Sequence, residues 1–278
     1  MKQKRGKPEE FHPKRSLGQN FLTDETLFAQ LVDLSGVGQD DAALEIGAGA
    51  GGMTKALSAA CRQVIAIEMD GTLLPILRVV LEKCKNVELV HGDVMRLNLP
   101  EITAPLGPFH VVANIPYYLT TDLMNLLLTS KMPIRSISVM VQKEAAERIV
   151  AKPGDAGYGM LAVRAQYFYD PRIALDVPAC LFTPPPKVDS AFVVMPRRAR
   201  PPVDAPDEAL FFKVAAAAFA MRRKTMENNL MASFRVSRDQ ARAWLHDCGI
   251  APGARGETLS MADFAALANA MTSNCQNT

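Results

Sequence analysis

Phe109-His110-Val111-Val112-Ala113-Asn114-Ile115-Pro116-Tyr117 is the stretch that decides the fold. Its apolar run, 109–113, is short and continuous, the mark of a strand buried on both faces. Thr120-Thr121-Asp122-Leu123-Met124-Asn125-Leu126-Leu127-Leu128 follows with a helical pattern. A strand-to-helix junction of this kind puts polar groups at the carboxyl edge of a sheet, where open α/β folds bind ligands. Asn114, Ile115, Pro116 and Tyr117 bring it an amide, a carbonyl, a rigid proline and a flat ring. That set suits a planar base bearing an amino group. Asn-x-Pro after a strand also serves as a plain turn, because Asn caps and Pro stops, and on these four residues alone both readings stand.

Upstream, Ala42-Ala43-Leu44-Glu45-Ile46-Gly47 reads as another buried strand. Gly47-Ala48-Gly49-Ala50-Gly51-Gly52 follows, then a helix from Met53 to about Ala60. Strand, glycine turn and helix N-terminus together make a cradle for a nucleotide or cofactor. Glycine lets the backbone approach such a ligand closely. The next strand, Gln63–Glu68, ends in an acid 21 positions after Gly47. That is close to the spacing of about 20 at which an acid holds ribose hydroxyls. Asp70 can share this task or cap a helix over 73–81. Val87–His91 is a third strand, and Asp93 after it can accept from an adenine amino group or cap a helix. Successive βα units with polar residues at one edge predict a doubly wound sheet.

Downstream, residues 136–141 predict a fifth strand, with a charged helix after Lys143. The turn-rich segment 152–159 reads as a flexible loop bordering a substrate entrance. Ala165-Gln166-Tyr167-Phe168-Tyr169 and Ala191-Phe192-Val193-Val194-Met195 are expected as two late strands. Between them lies a proline-stiffened loop, Leu181-Phe182-Thr183-Pro184-Pro185-Pro186-Lys187-Val188, whose Phe182 can pack or stack. Residues 196–206, rich in Pro and Arg, read as a linker, and the pattern beyond is helical over 208–221, 225–234, 238–247 and 261–271. Arg222-Arg223-Lys224 sits at a junction between two of these helices. It is either a solvated helix end or, with Lys187, Arg197 and Arg198, part of a phosphate-binding face. Near the amino end, Thr23 or Asp24 can cap a helix carrying Leu27, Phe28, Leu31, Val32 and Leu34, which Gly36 stops. Residues 1–15 form a basic arm, read as disordered, with Lys2, Lys4, Arg5, Lys7, Lys14 and Arg15.

A length of 278 residues predicts about two domains. With 49% hydrophobic and 22% charged residues the composition is that of an ordinary globular protein with a sizeable core. The net charge of +2 neither requires nor excludes a nucleic-acid partner. The five cysteines form no C-x-x-C, and the four histidines no H-E-x-x-H. This argues against a metal site or disulfide framework and for a cytoplasmic location. No apolar run is long enough to span a bilayer, and no signal or transit peptide is read at the N-terminus.

Taken in order, these motifs form a set: Gly18-Gln19-Asn20-Phe21-Leu22, Glu45-Ile46-Gly47-Ala48-Gly49, Glu68, Gly92-Asp93 and Asn114-Ile115-Pro116-Tyr117. Phe182-Thr183-Pro184-Pro185-Pro186-Lys187-Val188-Asp189-Ser190-Ala191, Arg222-Arg223-Lys224-Thr225 and Asn228-Asn229-Leu230 complete it. Over about residues 15–270 the chain resembles the KsgA (RsmA) family of ribosomal RNA small subunit adenine dimethyltransferases. The resemblance implies an α/β fold: a Rossmann-like, seven-stranded methyltransferase sheet with one antiparallel strand over 16–200, and a small all-helical domain over 201–278 that contributes to rRNA binding. It implies S-adenosyl-L-methionine as cofactor, held by Asn20, Leu22, Gly47, Gly49, Glu68, Asp93 and Asn114. The implied substrate is a pair of adjacent adenosines near the 3′ end of 16S rRNA, in the 30S subunit or its precursor, and the enzyme would act as a monomer without metal or membrane. Where the family often has Gly-Pro-Gly, this chain has Gly47-Ala48-Gly49, which questions the stiffness of the loop.

In such an enzyme the Asn114 oxygen and the Ile115 carbonyl would accept the two hydrogens of adenine N6. Pro116 would pre-place both acceptors. Tyr117 would stack on the base, with Phe182 on the other face, and Arg222, Arg223 and Lys224 would meet RNA phosphates. The nearest alternative is a large-subunit rRNA adenine methyltransferase of the Erm type, which shares Asn-Ile-Pro-Tyr. A second is a non-catalytic assembly factor that keeps the fold. A nicotinamide dehydrogenase shares the glycine loop and acid but leaves Asn-Ile-Pro-Tyr unexplained.

Overall fold

Strands that are apolar throughout must be covered by helices on both faces. The computed structural model has that layering, and it describes residues 20–275 apart from Thr23. The basic arm of residues 1–15, Gly18, Gln19 and the proposed Thr23 cap lie outside the described residues. In chain order the strands are Phe21–Leu22 (β1), Ala42–Ile46 (β2), Gln63–Glu68 (β3), Val87–His91 (β4), Phe109–Asn114 (β5), Ile134–Gln142 (β6), Arg172–Val177 (β7), Phe182–Thr183 (β8) and Ser190–Pro196 (β9).

Seven of them form one sheet in the order β4-β3-β2-β5-β6-β9-β7. The run from β4 to β6 is parallel, and β9 is antiparallel to both of its neighbours. This is the Rossmann-like sheet with one antiparallel strand that the family resemblance implies. From β2 the chain winds outward through β3 and β4, then returns to the other side of β2 as β5. The order therefore reverses between β2 and β5, where Ile46 lies opposite Ala113. A crevice opens at such a reversal, at the carboxyl ends of the strands.

Alternation along β2 splits its side chains between two layers. Leu44 and Ile46 enter a core with Leu123, Leu127 and Ile149 from the helices Thr120–Thr129 and Lys143–Val150. Ala43 enters the opposite core with Leu31 and Leu57 from the helices Glu25–Ser35 and Gly52–Ala60. Each fully buried leucine contributes about 1.5–3 kcal/mol. Asp24 caps the first helix by accepting from the Thr26 and Leu27 amides, and Gly36, at φ 73°, ends it.

The helices Glu208–Ala220, Met226–Phe234, Arg238–Asp247 and Met261–Cys275 gather around Phe211, Leu230, Trp244 and Phe264. Tyr158, Ala162 and Tyr167 join that core from before the Pro- and Arg-rich stretch. The segment 165–169, expected as a strand, ends the helix Met160–Phe168 instead. Its Ala165 packs on the sheet core while Tyr167 faces the helical core. A helix buried on two sides has no polar stripe, so its period is hidden and its aromatic run looks like a strand. The true strand, β7, is only partly buried along most of its length.

The loop 152–159 does not border the crevice. The Gly154 amide donates to the Glu257 carbonyl at 2.8 Å, Arg222 Nη2 to the Ala156 carbonyl at 3.1 Å, and Tyr158 packs edge-on against Phe219 at 5.5 Å. It braces the sheet region against the C-terminal helices.

Candidate active site

A cavity of about 240 Å³ lies at the carboxyl ends of β2, β3 and β5. Its floor is the glycine turn after β2. The Gly47 and Ala48 amides both donate to the Ile67 carbonyl, at 2.9 and 3.1 Å, and the Gly49 amide donates to Glu68 Oε2 at 2.8 Å. These bonds stiffen a loop that lacks the proline seen in the family. Gly49 has φ 58°, and a Cβ there would stand 3.3 Å from the Phe21 ring. Both facts call for glycine. A Cβ on Gly47 would meet the Asn114 carbonyl oxygen at 3.4 Å, so the strand-order reversal sets the glycine turn directly beside the Asn-Ile-Pro-Tyr turn.

Glu68 is 6% exposed and holds the loop with both oxygens. Oε2 serves Gly49, and Oε1 accepts from the Asp70 amide at 2.7 Å. Each oxygen keeps a second lone pair for a ligand hydroxyl. Asp70 does not line the cavity, and its carboxylate accepts from the Thr72 amide and hydroxyl at 3.0 and 2.7 Å. Asp93 does line it, while its Oδ1 accepts from the Met95 amide at 3.0 Å. The helix-cap reading does not hold: a turn over 94–96 follows Asp93, the next helix starts only at Leu99, and the Met95 bond fixes the carboxylate within that turn.

Asn114 ends β5, and its Nδ2 faces the Asn20 carbonyl at 3.5 Å. A carbonyl only accepts, so the amide must turn its NH2 toward Asn20 and leave Oδ1 as an acceptor. The Ile115 side chain is buried in the sheet core, and its amide donates to the Met140 carbonyl at 3.1 Å. Among the described residues the Ile115 carbonyl receives no hydrogen bond. Asn114 Oδ1 and the Ile115 carbonyl are thus acceptors with no partner among the described residues, on two successive residues that line the cavity. Pro116 has φ −55° and opens a 3-10 turn, Tyr117–Leu119. The half-buried Tyr117 ring lines the cavity, and its hydroxyl lies 2.8 Å from Ser190 Oγ. Burial raises the Tyr117 phenol above its ordinary pKa, and the Ser190 bond partly opposes this.

Other expected site residues are placed less simply. Asn20 lines the cavity through the short antiparallel pair β1–β8. On the same strand the Leu22 side chain turns away into the core. Phe182 borders the cavity but is 2% exposed, packed in that core. Arg222, Arg223 and Lys224 lie outside the cavity, exposed on the turn between Glu208–Ala220 and Met226–Phe234. Arg197 and Arg198 are engaged within the chain. Arg197 donates to the Tyr169 hydroxyl at 3.1 Å, and Arg198 to the Tyr169 carbonyl at 2.9 Å and Asp170 at 2.6 Å.

Sequence reasoning missed Phe21, Met69, Val94 and Tyr118, which also line the cavity. Met69 and Val94 follow the two strand-end acids directly, a signal that was available. Tyr118, 58% exposed, carries no such mark. Nor did Glu45 receive a role. It is 1% exposed beneath the glycine turn, and its carboxyl is pushed up to about 8 by burial, with the Glu68 charge adding to the rise. The Thr54 hydroxyl tempers this without a short bond, since Glu45 Oε2 and Thr54 Oγ1 are both buried without a partner among the described residues. Among those residues there is also no cluster of three or more His, Cys, Asp or Glu side chains suited to a metal, and no helix long and apolar enough to cross a membrane.

Comparison with known proteins adds the lineage. The family model "Ribosomal RNA adenine dimethylase" matches residues 10–273. The chain is 43% identical over 268 residues to ribosomal RNA small subunit methyltransferase A of Geobacillus thermodenitrificans, covering 94% of this chain and 92% of that protein. The crystal structure of the 23S rRNA methyltransferase ErmE is similar at TM-score 0.73 and 26% identity, over 91% of this chain and 100% of that one. A dimethyladenosine transferase from Plasmodium falciparum shares the fold at TM-score 0.73 and 23% identity, over 89% of this chain and 95% of that one. The match along nearly the whole chain, to the family model and to relatives at 43% identity, leads to one conclusion: the protein belongs to the ribosomal RNA adenine dimethylase family.

Proposed function

We propose that the protein dimethylates N6 of two adjacent adenosines near the 3′ end of 16S rRNA, in the small ribosomal subunit or its precursor, using S-adenosyl-L-methionine. The observation that carries this reading is the pair of acceptors without a partner among the described residues, Asn114 Oδ1 and the Ile115 carbonyl, on residues that line the cavity together with Tyr117, two positions after Ile115. The small-subunit substrate is favoured over the large-subunit one by 43% identity to the small-subunit enzyme against 26% to ErmE.

The residues fit the cofactor. The glycine turn leaves room for close backbone approach, Glu68 keeps acceptors for ribose hydroxyls, and Asp93 keeps one for an adenine amino group. Met69 and Val94 supply apolar walls. Asn20, the Leu22 backbone, Gly47, Gly49 and Asn114 would complete the contacts. When bound, S-adenosylmethionine supplies an electrophilic methyl group on its sulfonium.

The chain's own residues then have two tasks. Adenine N6 is a weak nucleophile because its lone pair is delocalised into the ring. Asn114 Oδ1 and the Ile115 carbonyl accept its two hydrogens and favour a pyramidal nitrogen whose lone pair points at the methyl group. Tyr117 stacks on the extruded base, an interaction worth about 1–3 kcal/mol. Phe182, packed in the core at the cavity's border, would back the other face of the base. No strong general base is required, since the nitrogen loses its proton after transfer. Arg222, Arg223 and Lys224, on the helical region 201–278, contact rRNA phosphates. The protein acts as a monomer in the cytoplasm, without metal. The test is methyl transfer to purified small and large ribosomal subunits that lack these modifications.

A further inference from the structure

Tyr117 and Ser190 lie 73 residues apart in sequence, yet their hydroxyls are 2.8 Å apart. We propose that Ser190 is a positioning residue for methyl transfer, holding the far end of the Tyr117 ring, and so the direction of its long axis, where the target base lies. This rests on the reading of Tyr117 as the stacking platform.

Backbone bonds alone do not fix that ring. In the turn Tyr117–Leu119 the Leu119 amide donates to the Pro116 carbonyl at 2.9 Å, and the Thr120 amide donates to the Tyr117 carbonyl. Both leave the side-chain torsions free. Half-buried at the cavity wall, the ring has an open side facing the cavity. Its first side-chain torsion has several staggered wells, each of which would send the far end of the ring to a different place. The phenol oxygen lies on the ring's long axis, so a hydrogen bond there holds the far end of the ring and closes the first side-chain torsion.

Ser190 is well suited to anchor it. The residue is fully buried and opens β9, paired with Gln142 on one side and Val177 on the other. Asp189 before it is tied twice: its carbonyl accepts from the Lys143 amide at 3.0 Å, and its carboxylate from the Ala179 amide at 2.8 Å. Water does not reach the bond from the Ser190 side, so it is not exchanged for solvent there.

The bond also gives ring and acceptors a common reference. Asn114 pairs with Met140 on β6, and the Ile115 amide donates to the Met140 carbonyl. Ser190 pairs with Gln142, two residues further along the same strand. The acceptors and the stacking ring are thus both registered on the carboxyl end of β6. Alignment of this kind matters within about 0.5 Å.

The test is a mutant cycle of Ser190→Ala, Tyr117→Phe and the double variant, with Tyr117→Ala alongside. Methyl transfer from S-adenosylmethionine to small ribosomal subunits lacking the modification gives kcat/KM, and titration gives cofactor affinity. Each single variant is expected to lose about fivefold in kcat/KM, the worth of one hydrogen bond, with cofactor affinity unchanged. The double variant is expected to be no worse than either single one, because both remove the same bond. Tyr117→Ala is expected to lose at least tenfold more. Multiplied losses, about 25-fold in the double variant, would overturn the proposal, as would wild-type kcat/KM in Ser190→Ala. If Ser190→Ala does not fold, wild-type kcat/KM in Tyr117→Phe overturns it equally. Wild-type activity in Tyr117→Ala would instead remove the stacking reading itself.

Discussion

Replacing Glu45 by Gln should make the protein more stable at alkaline pH, by an amount set by where that carboxyl sits. Glu45 is 1% exposed, its Oε2 has no partner among the described residues, and its pKa is raised from 4.5 to about 8. The folded state thus holds a proton that the unfolded chain releases above about pH 4.5. A folded-state pKa above the unfolded one gives stability that is complete below pH 4.5 and is lost as pH rises toward 8. The slope is about 1.4 kcal/mol per pH unit, so the whole window is worth at most about 5 kcal/mol. Glutamine keeps the neutral shape and removes the titration. Urea unfolding of both proteins from pH 5 to 9 checks this, since other titrating groups cancel in the difference. The stability of Glu45→Gln relative to the native protein should climb steadily to about pH 8 and then level. A difference that stays flat from pH 5 to 8 would refute the reasoning, because it would mean that Glu45 ionises in the fold as readily as in the unfolded chain.

Asn114→Ala should lower methyl transfer by at least a hundredfold while cofactor affinity, measured by titration, falls by a smaller factor; transfer at the native rate would rule out the acceptor role. Binding to small subunits should weaken steeply with salt, and changing Arg222, Arg223 and Lys224 together to Ala should reduce the log–log salt slope by about two to three. An unchanged slope would place the phosphate contacts elsewhere.

The centre of the sheet was legible because its strands are apolar on both faces and bounded by polar residues. Gln63–Glu68 and Val87–His91 have the limits their sequence suggests. The helix Arg238–Asp247 does too, starting at the Ser237 cap, whose side chain accepts from the Gln240 amide. Met160–Phe168 was not legible, since a helix wedged between two cores carries no polar face. The pair β1–β8 was hidden for another reason. Two strands of two residues each have no period, and their pairing spans most of the sheet region. That pairing brings Asn20 to Asn114. At the site, Glu68, Asp93 and Asn114 could be read from strand ends, because a strand's last polar residue faces the carboxyl edge whatever follows. Ser190 could not be read: its role depends on the register of an antiparallel strand that only the folded sheet sets.

The central claim is most directly tested by offering labelled S-adenosylmethionine and the protein to unmethylated small and large ribosomal subunits, then digesting the RNA to nucleosides. The account predicts N6,N6-dimethyladenosine from the small subunit alone. Label in the large-subunit RNA would contradict it and assign the Erm-type substrate. No label in either, with the cofactor still bound, would contradict it as well and leave a binding role in subunit assembly.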